Sequence, residues 1–217
     1  DMALRQRALS LRVREVDQRH IQTLKRMKPA DGAIMKRDEW EKDVNKCEPD
    51  IRAFEDGDIN RFFRDAVPAK KLKRLFETDV QRTIWNLRNG NAEVELALDV
   101  GEIRGPNGNR VPLCEAELEL KTGDARQLYD IALALNDRID CTVGTLAKSE
   151  RGYALFRKEV LTAVKATRIK LSRNMTVWQA FVAISRNCLA HLEANAPVAS
   201  IGKDPEGIHQ TRVAIRR

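Results

Sequence analysis

Between residues 9 and 121, charged and apolar side chains alternate with a period of two in several runs. That rhythm assigns one set to each face of a strand and predicts a largely β region with turns between. Over residues 93–100, Val94, Leu96, Leu98 and Val100 fall on one side, and Glu93, Glu95 and Asp99 on the other. Residues 114–121 repeat the layout, with Glu115, Glu117, Glu119 and Lys121 on the polar side. The intervening stretch holds Gly101 and Gly105-Pro106-Asn107-Gly108, so the two runs read as an antiparallel hairpin joined by a loop. Leu11-Arg12-Val13-Arg14, Ile21-Gln22-Thr23-Leu24-Lys25, Glu39-Trp40-Glu41 and Val80-Gln81-Arg82-Thr83-Ile84 add strands with polar stripes of both signs.

After Gly123 the period changes. Asp124 as cap, Gln127 three residues on, and Leu128, Ile131, Ala132 and Leu135 at helical spacing predict a helix. Thr176 caps a second, with Val177, Phe181, Ile184, Cys188 and Leu192 as one apolar stripe and Pro197 expected just past its end. Asp204-Pro205-Glu206 opens a third, with cap, first-turn proline and early acid in the favoured order. That pattern is still running at Arg217, so the sequence reads as an excerpt of a longer chain. Residues 158–173 are basic without a clean period and read as a junction between domains. The lysine-rich residues 68–75 predict a short helix covering one end of the sheet, with Lys70, Lys71 and Lys73 steering anions.

The hairpin concentrates carboxylates on neighbouring strands, where like charges opposite one another are destabilising, so a cation is expected among them. If the sheet closes into a barrel, the polar stripes meet in a wet, charged interior. Carboxylates at i and i+2 suit a hard divalent ion such as Mg²⁺ or Mn²⁺ better than zinc, and arginine and lysine from facing strands grip phosphate oxygens. Together these point to metal-bound phosphates and phosphoanhydride hydrolysis.

Composition narrows the field. The 217 residues are 42% hydrophobic and 33% charged, which predicts a globular chain without a membrane span. The amino end lacks the layout of a secretory signal, making the cytoplasm the expected location. Cys47, Cys114, Cys141 and Cys188 lie far apart and read as reduced thiols. Lys and Arg number 39 against 32 Asp and Glu, a net +7, so a polyanion is the first partner to test. With 5% aromatics, base stacking is poorly served and nucleic acid is an unlikely ligand; Trp40, Trp85 and Trp178 read as packing residues. His20 reads as a hairpin-turn residue and His191 as a surface imidazole near a helix end.

These motifs, taken in order with Arg37-Asp38-Glu39-Trp40-Glu41, Val94-Glu95-Leu96-Ala97-Leu98-Asp99-Val100-Gly101, Glu115-Ala116-Glu117-Leu118-Glu119-Leu120-Lys121 and Lys148-Ser149-Glu150-Arg151-Gly152-Tyr153, resemble the CYTH domain of bacterial inorganic triphosphatases. These are triphosphate tunnel metalloenzymes. The resemblance covers residues 1 to about 160. It implies an α+β fold built on a closed antiparallel eight-stranded β-barrel, a tunnel with peripheral helices. The family's amino-terminal E-x-E-x-K strand is absent here, so the barrel is expected to be incomplete at that end. By resemblance, Arg12, Arg14, Lys25, Arg82, Lys148 and Arg151 bind tripolyphosphate. Glu117 and Glu119 hold Mg²⁺ or Mn²⁺, and Glu39, Glu41 and Asp99 serve as further metal or water-positioning carboxylates. For Arg151 the Ser-Glu-Arg-Gly stretch equally suits a turn that fixes the last strand, and Glu115 suits a place at the tunnel rim.

A second resemblance lies beyond a junction at residues 161–175. Thr176-Val177-Trp178-Gln179-Ala180-Phe181 through Leu189, then residues 204–217, look like the opening helices of an all-α CHAD domain, giving a third segment at residues 176–217. His209, Arg212 and Arg216 fall at i, i+3 and i+7 on one helix face with Arg217 beside them, and the resemblance implies that they bind long-chain polyphosphate. Two alternatives stay open from sequence: a non-catalytic polyphosphate-binding protein, and a triphosphatase or cyclase acting on nucleoside or thiamine triphosphate.

Overall fold

A computed structural model describes residues 3–28, 37–54, 57, 59, 61, 63 and 72–217. The chain divides into two compact units, Asp1–Arg74 with Arg168–Ala190, and Leu75–Thr167 with His191–Arg217. The first contains β1 (Leu9–Val16), β2 (Arg19–Met27) and β3 (Arg37–Val44), an antiparallel sheet in that order. Asp17 and Gln18 turn β1 into β2 with φ of 47° and 65°, the left-handed pair whose twist matches a two-residue hairpin. Leu11, Leu24 and Trp40 lie in one cross-strand row. That face packs with Leu9 on Ile51, Phe54, Ile59 and Phe63. Burying each of the larger of these side chains contributes about 1.5–3 kcal/mol. Buried Gln22 clamps the covering segment, its amide donating to the Asp50 carbonyl and accepting from the Asp50 N–H, both at 2.8 Å.

The second unit is built on β4 (Glu77–Asn89), β5 (Ala92–Arg104) and β6 (Arg110–Thr122), again antiparallel with β5 central. Helix α1 (Arg126–Asn136) follows, then α2 (Lys148–Arg157). Helix α3 (Val177–Ile201) precedes α4 (Pro205–Arg216). The Asp124 carboxylate accepts the Arg126 N–H at 2.9 Å, as a helix start requires. Gln127 does not complete a capping box; its side chain accepts the Ala92 N–H and donates to Asn91, tying α1 to the β4–β5 turn. At α3 the box does form, Thr176 and Gln179 exchanging side-chain bonds with each other's N–H. Asp204 caps α4 as expected, with Pro205 in its first turn.

Several expectations need correction. Among the described residues the strands form two three-stranded sheets and no closed eight-stranded barrel. The Ser149-Glu150-Arg151-Gly152 stretch, read as suiting a turn that fixes the last strand, lies inside a helix, Lys148–Arg157, which lacks β-branched residues and buries Gly152 and Tyr153. Tyr153 packs edge-on against Phe76, ring centroids 5.3 Å apart. Gly101 is inside β5 and not in the loop, since the ladder continues to Arg104 paired with Arg110. A Cβ at Gly101 would come within 2.0 Å of the Asp79 carbonyl oxygen, so this close approach of β4 to β5 requires glycine. Pro197 lies within α3 rather than past its end, with Asn195 and Val198 buried near it in sequence. His191 is buried, not at the surface. Trp40 packs on the first core, whereas Trp85 and Trp178 are exposed, Trp178 stacking on Phe181. Of the helix expected over residues 68–75, residues 68–71 lie outside the described residues and 72–75 are not helical.

Candidate functional site: two charged sheet faces

On the first sheet the face opposite the core carries cross-strand rows of charge. Arg12, Thr23 and Glu41 share one row, and Ser10, Lys25 and Glu39 the next. Lys25 Nζ lies 2.9 Å from Glu39, whose other oxygen meets Arg37 at 3.4 Å. Glu41 accepts from the buried Thr23 hydroxyl at 2.9 Å and from Arg14 at 3.2 Å. Burial, followed by the nearby Arg12 charge, pushes the Lys25 ammonium below its ordinary value, against the pull of Glu39. For Glu39, burial raises the carboxyl, but its bond to Lys25 and the surrounding cations outweigh burial and hold it below the usual range. A lysine lowered by burial and by neighbouring guanidiniums marks a place that an anion would relieve.

The second sheet concentrates its charge further. Arg82, Asp99 and Glu115 form one row of β4, β5 and β6, and Ile84, Ala97 and Glu117 the adjacent row. Asp99 is fully buried, whereas its apolar neighbour Val100 is 49% exposed, so the centre of this sheet encloses charge and turns a valine outward. Arg82 grips both Asp99 oxygens at 2.7 Å and reaches Glu117 at 2.8 Å. From α2, Lys148 Nζ meets Asp99 at 2.8 Å, Glu117 at 3.0 Å, and Glu115. Arg151, one turn on, bonds Glu115 at 3.0 Å and the Pro112 carbonyl at 2.9 Å, tying the helix to β6. Glu119 shares Lys121 with Glu95, at 3.0 and 3.2 Å.

The ionisation follows from these contacts. Burial works to raise Asp99 and Glu117, but for Asp99 the bonds from Arg82 and Lys148, and for Glu117 the charge of Lys148, hold both below the usual carboxylate range. Burial works to lower Lys148, and its three carboxylates raise it above its ordinary value. Arg82 is likewise raised, its bonds to Asp99 outweighing burial.

The expected residues therefore fall into groups. Arg12, Arg14, Lys25, Glu39 and Glu41 share one face of the first sheet. Arg82, Asp99, Glu117, Lys148 and Arg151 form one ion cluster in the second unit, and Glu119 stands beside it with Lys121. Sequence reasoning missed Glu115 as the joint between Lys148 and Arg151, although its i, i+2 spacing to Glu117 signalled the shared face. It also missed Thr23, which the register places beside Arg12 and Glu41.

Every acid in the cluster is a carboxylate, with no imidazole or thiolate among the contacts described, and this donor chemistry fits a hard divalent cation. The chain's own ammonium stands among those oxygens, and among the described residues no three or more His, Cys, Asp or Glu side chains are grouped so as to hold a metal ion as they stand. On α4, His209, Arg212 and Arg216 are exposed together, while Gly207, Gln210 and Ala214 are its buried positions. Arg217 instead donates to the Thr167 carbonyl at 3.1 Å. Among the described residues no helix is long and apolar enough to cross a membrane, and all four cysteines are free thiols.

The family model for the CYTH domain matches residues 1–153. An inorganic triphosphatase of Haemophilus influenzae is 30% identical over 162 residues, covering 75% of this chain and 45% of that protein. The chain thus spans a little under half the length of that relative. With seven-tenths of its residues inside the family match and acids interleaved with cations on two sheet faces, the chain belongs to the CYTH domain family.

Proposed function

We propose that this protein is a divalent-metal-dependent inorganic triphosphatase that hydrolyses tripolyphosphate to pyrophosphate and phosphate, with Mg²⁺ or Mn²⁺ as the metal. The observation that carries the reading is the cluster of Asp99, Glu115 and Glu117 with Arg82, Lys148 and Arg151. Phosphate binding alone calls for cations; three carboxylates among them would repel the substrate unless a metal is also used. CYTH membership and the relative's activity support the same reading.

Glu117 and Glu119 would hold the metal, with Asp99 as a further oxygen donor. The bound ion supplies charge neutralisation at the phosphate oxygens. Arg82, its fork remaining on Asp99, would add positive charge near the phosphates, Lys148 would offer an ammonium point charge to phosphate oxygens, and Arg151 holds α2 in place through Glu115 and the Pro112 carbonyl. By the family resemblance, Arg12, Arg14 and Lys25 of the first sheet would provide further phosphate contacts, and Glu39 and Glu41 would serve as further metal or water-positioning carboxylates. Attack of that water on a terminal phosphorus breaks its bond to the bridging oxygen, and the leaving pyrophosphate is stabilised by the cations. The carboxyl-terminal helices are assigned to a CHAD-type domain whose His209, Arg212, Arg216 and Arg217 bind long-chain polyphosphate.

The test is phosphate release from tripolyphosphate, ATP and long-chain polyphosphate, with and without each divalent ion. Tripolyphosphate should be preferred and turnover should require the metal. Glu117→Ala should lower turnover on the order of a hundredfold while circular dichroism shows the fold retained. Equal turnover by wild type and variant would overturn the assignment.

A further inference from the structure

Resting on the metal-site reading above, we infer that Lys148 is the built-in counter-ion of the carboxylate cluster, which a divalent cation must displace, so that metal entry frees an ammonium for the phosphates. Asp99, Glu115 and Glu117 carry three negative charges, and Arg82, Lys148 and Arg151 three positive ones, so the cluster as it stands is balanced. A dication added to that set meets no net attraction and finds the carboxylates already in ion pairs with Lys148 Nζ. With the ammonium gone the same carboxylates hold a net negative charge, and a hard cation is well served.

Lys148, not an arginine, is the group that yields. Arg82 sits on β4 with its fork matched to both oxygens of Asp99 at 2.7 Å. Arg151 is fixed by a carboxylate and a backbone carbonyl together. Lys148 is a point charge on a flexible four-carbon stem in the first turn of α2, where it can swing without breaking the helix. Its nitrogen touches all three acids, so one movement releases Asp99 and Glu117 for the metal, and Glu115 beside them. The displaced charge is then available to phosphate oxygens, which links metal binding to substrate binding through a single side chain.

The test measures Mn²⁺ affinity of the metal-free protein by titration calorimetry, without substrate. Lys148→Met should bind Mn²⁺ at least about tenfold more tightly than wild type, because the competing charge is gone. Lys148→Arg, which keeps that charge, should bind no more tightly than wild type. Equal or weaker binding by the methionine variant, or equal tightening by both variants, overturns the inference. If none of the three proteins binds Mn²⁺, the metal-site reading itself fails. A measurement on unmodified protein guards against misfolding of a variant: saturating Mg²⁺ should raise the rate of reductive methylation at Lys148 several-fold, read by peptide mass spectrometry. Unchanged or slower labelling under saturating Mg²⁺ would equally overturn it.

Discussion

At Asp99 a carboxylate with no exposed surface sits between a guanidinium and an ammonium, and the sign of its effect on stability can be worked out. Its folded value lies below the ordinary 3.8, and that of Glu117 below 4.5, so the unfolded chain binds these protons more readily. Their stabilisation is therefore complete above the unfolded values and is lost as the pH falls through the depressed folded ones. Lys148, raised above 10.5, contributes below that value and is lost as the pH rises past it. In metal-free buffer, urea melts should show a plateau between these limits. Asp99→Asn should cost about 1–3 kcal/mol near neutrality, because it removes the buried charge that partners Lys148 and the half-exposed Arg82, and should flatten the acid limb. An acid limb parallel to that of wild type would count against this account. The clustering of Arg82, Asp99 and Glu117 was legible in sequence because a period of two assigns faces. What could not be read was the partner of each charge: Glu115 meets Lys148 across a gap of more than thirty residues that no spacing rule spans.

Among the elements, helix α2 decides whether Lys148 and Arg151 reach the sheet, and its seat depends on Gly152. A Cβ there would stand 2.3 Å from two carbons of the Phe76 ring, closer than real atoms approach. Alanine in place of glycine ordinarily favours a helix by about 1 kcal/mol, but the clash costs about 1–3 kcal/mol and also displaces the two cations. Gly152→Ala should therefore destabilise the protein and reduce tripolyphosphate turnover. Phe76→Leu replaces the ring by a smaller side chain without the clashing Cε2, and in a double-mutant cycle it should recover about 1 kcal/mol of the loss. Strict additivity would mean that the glycine serves something other than this contact. The hairpin of β5 and β6 was readable because its alternation is long, whereas α2 is a ten-residue segment whose polar residues match a turn equally well. For α3 the expected apolar stripe includes Val177 and Phe181, which are exposed, while the buried positions are His191, Asn195 and Val198; periodicity says which residues share a face and not what covers them.

For the molecule as a whole, alternation identifies faces but carries no information on how ribbons close, since closure depends on strand number, tilt and register together. That is why the tunnel came from resemblance while the described residues show two three-stranded sheets. Charge is more legible at this scale. The chain is basic by seven, and α4 gathers His209, Arg212 and Arg216 on exposed positions while its buried ones, Gly207, Gln210 and Ala214, are small or hydrogen-bonded. Such a face meets an extended polyanion through exposed contacts, each worth about 0.2–1 kcal/mol and screened by salt. Short tripolyphosphate gains little from it, whereas a long chain engages several cations at once. Replacing Arg212 and Arg216 together by alanine should weaken binding of long-chain polyphosphate about fivefold at low salt and progressively less as salt is raised. Turnover of tripolyphosphate should change far less. Titration of both variant and wild type across a salt series checks this, and the discriminating result is the slope: equal salt dependence in the two proteins would mean that the basic face of α4 takes no part in holding the polyanion.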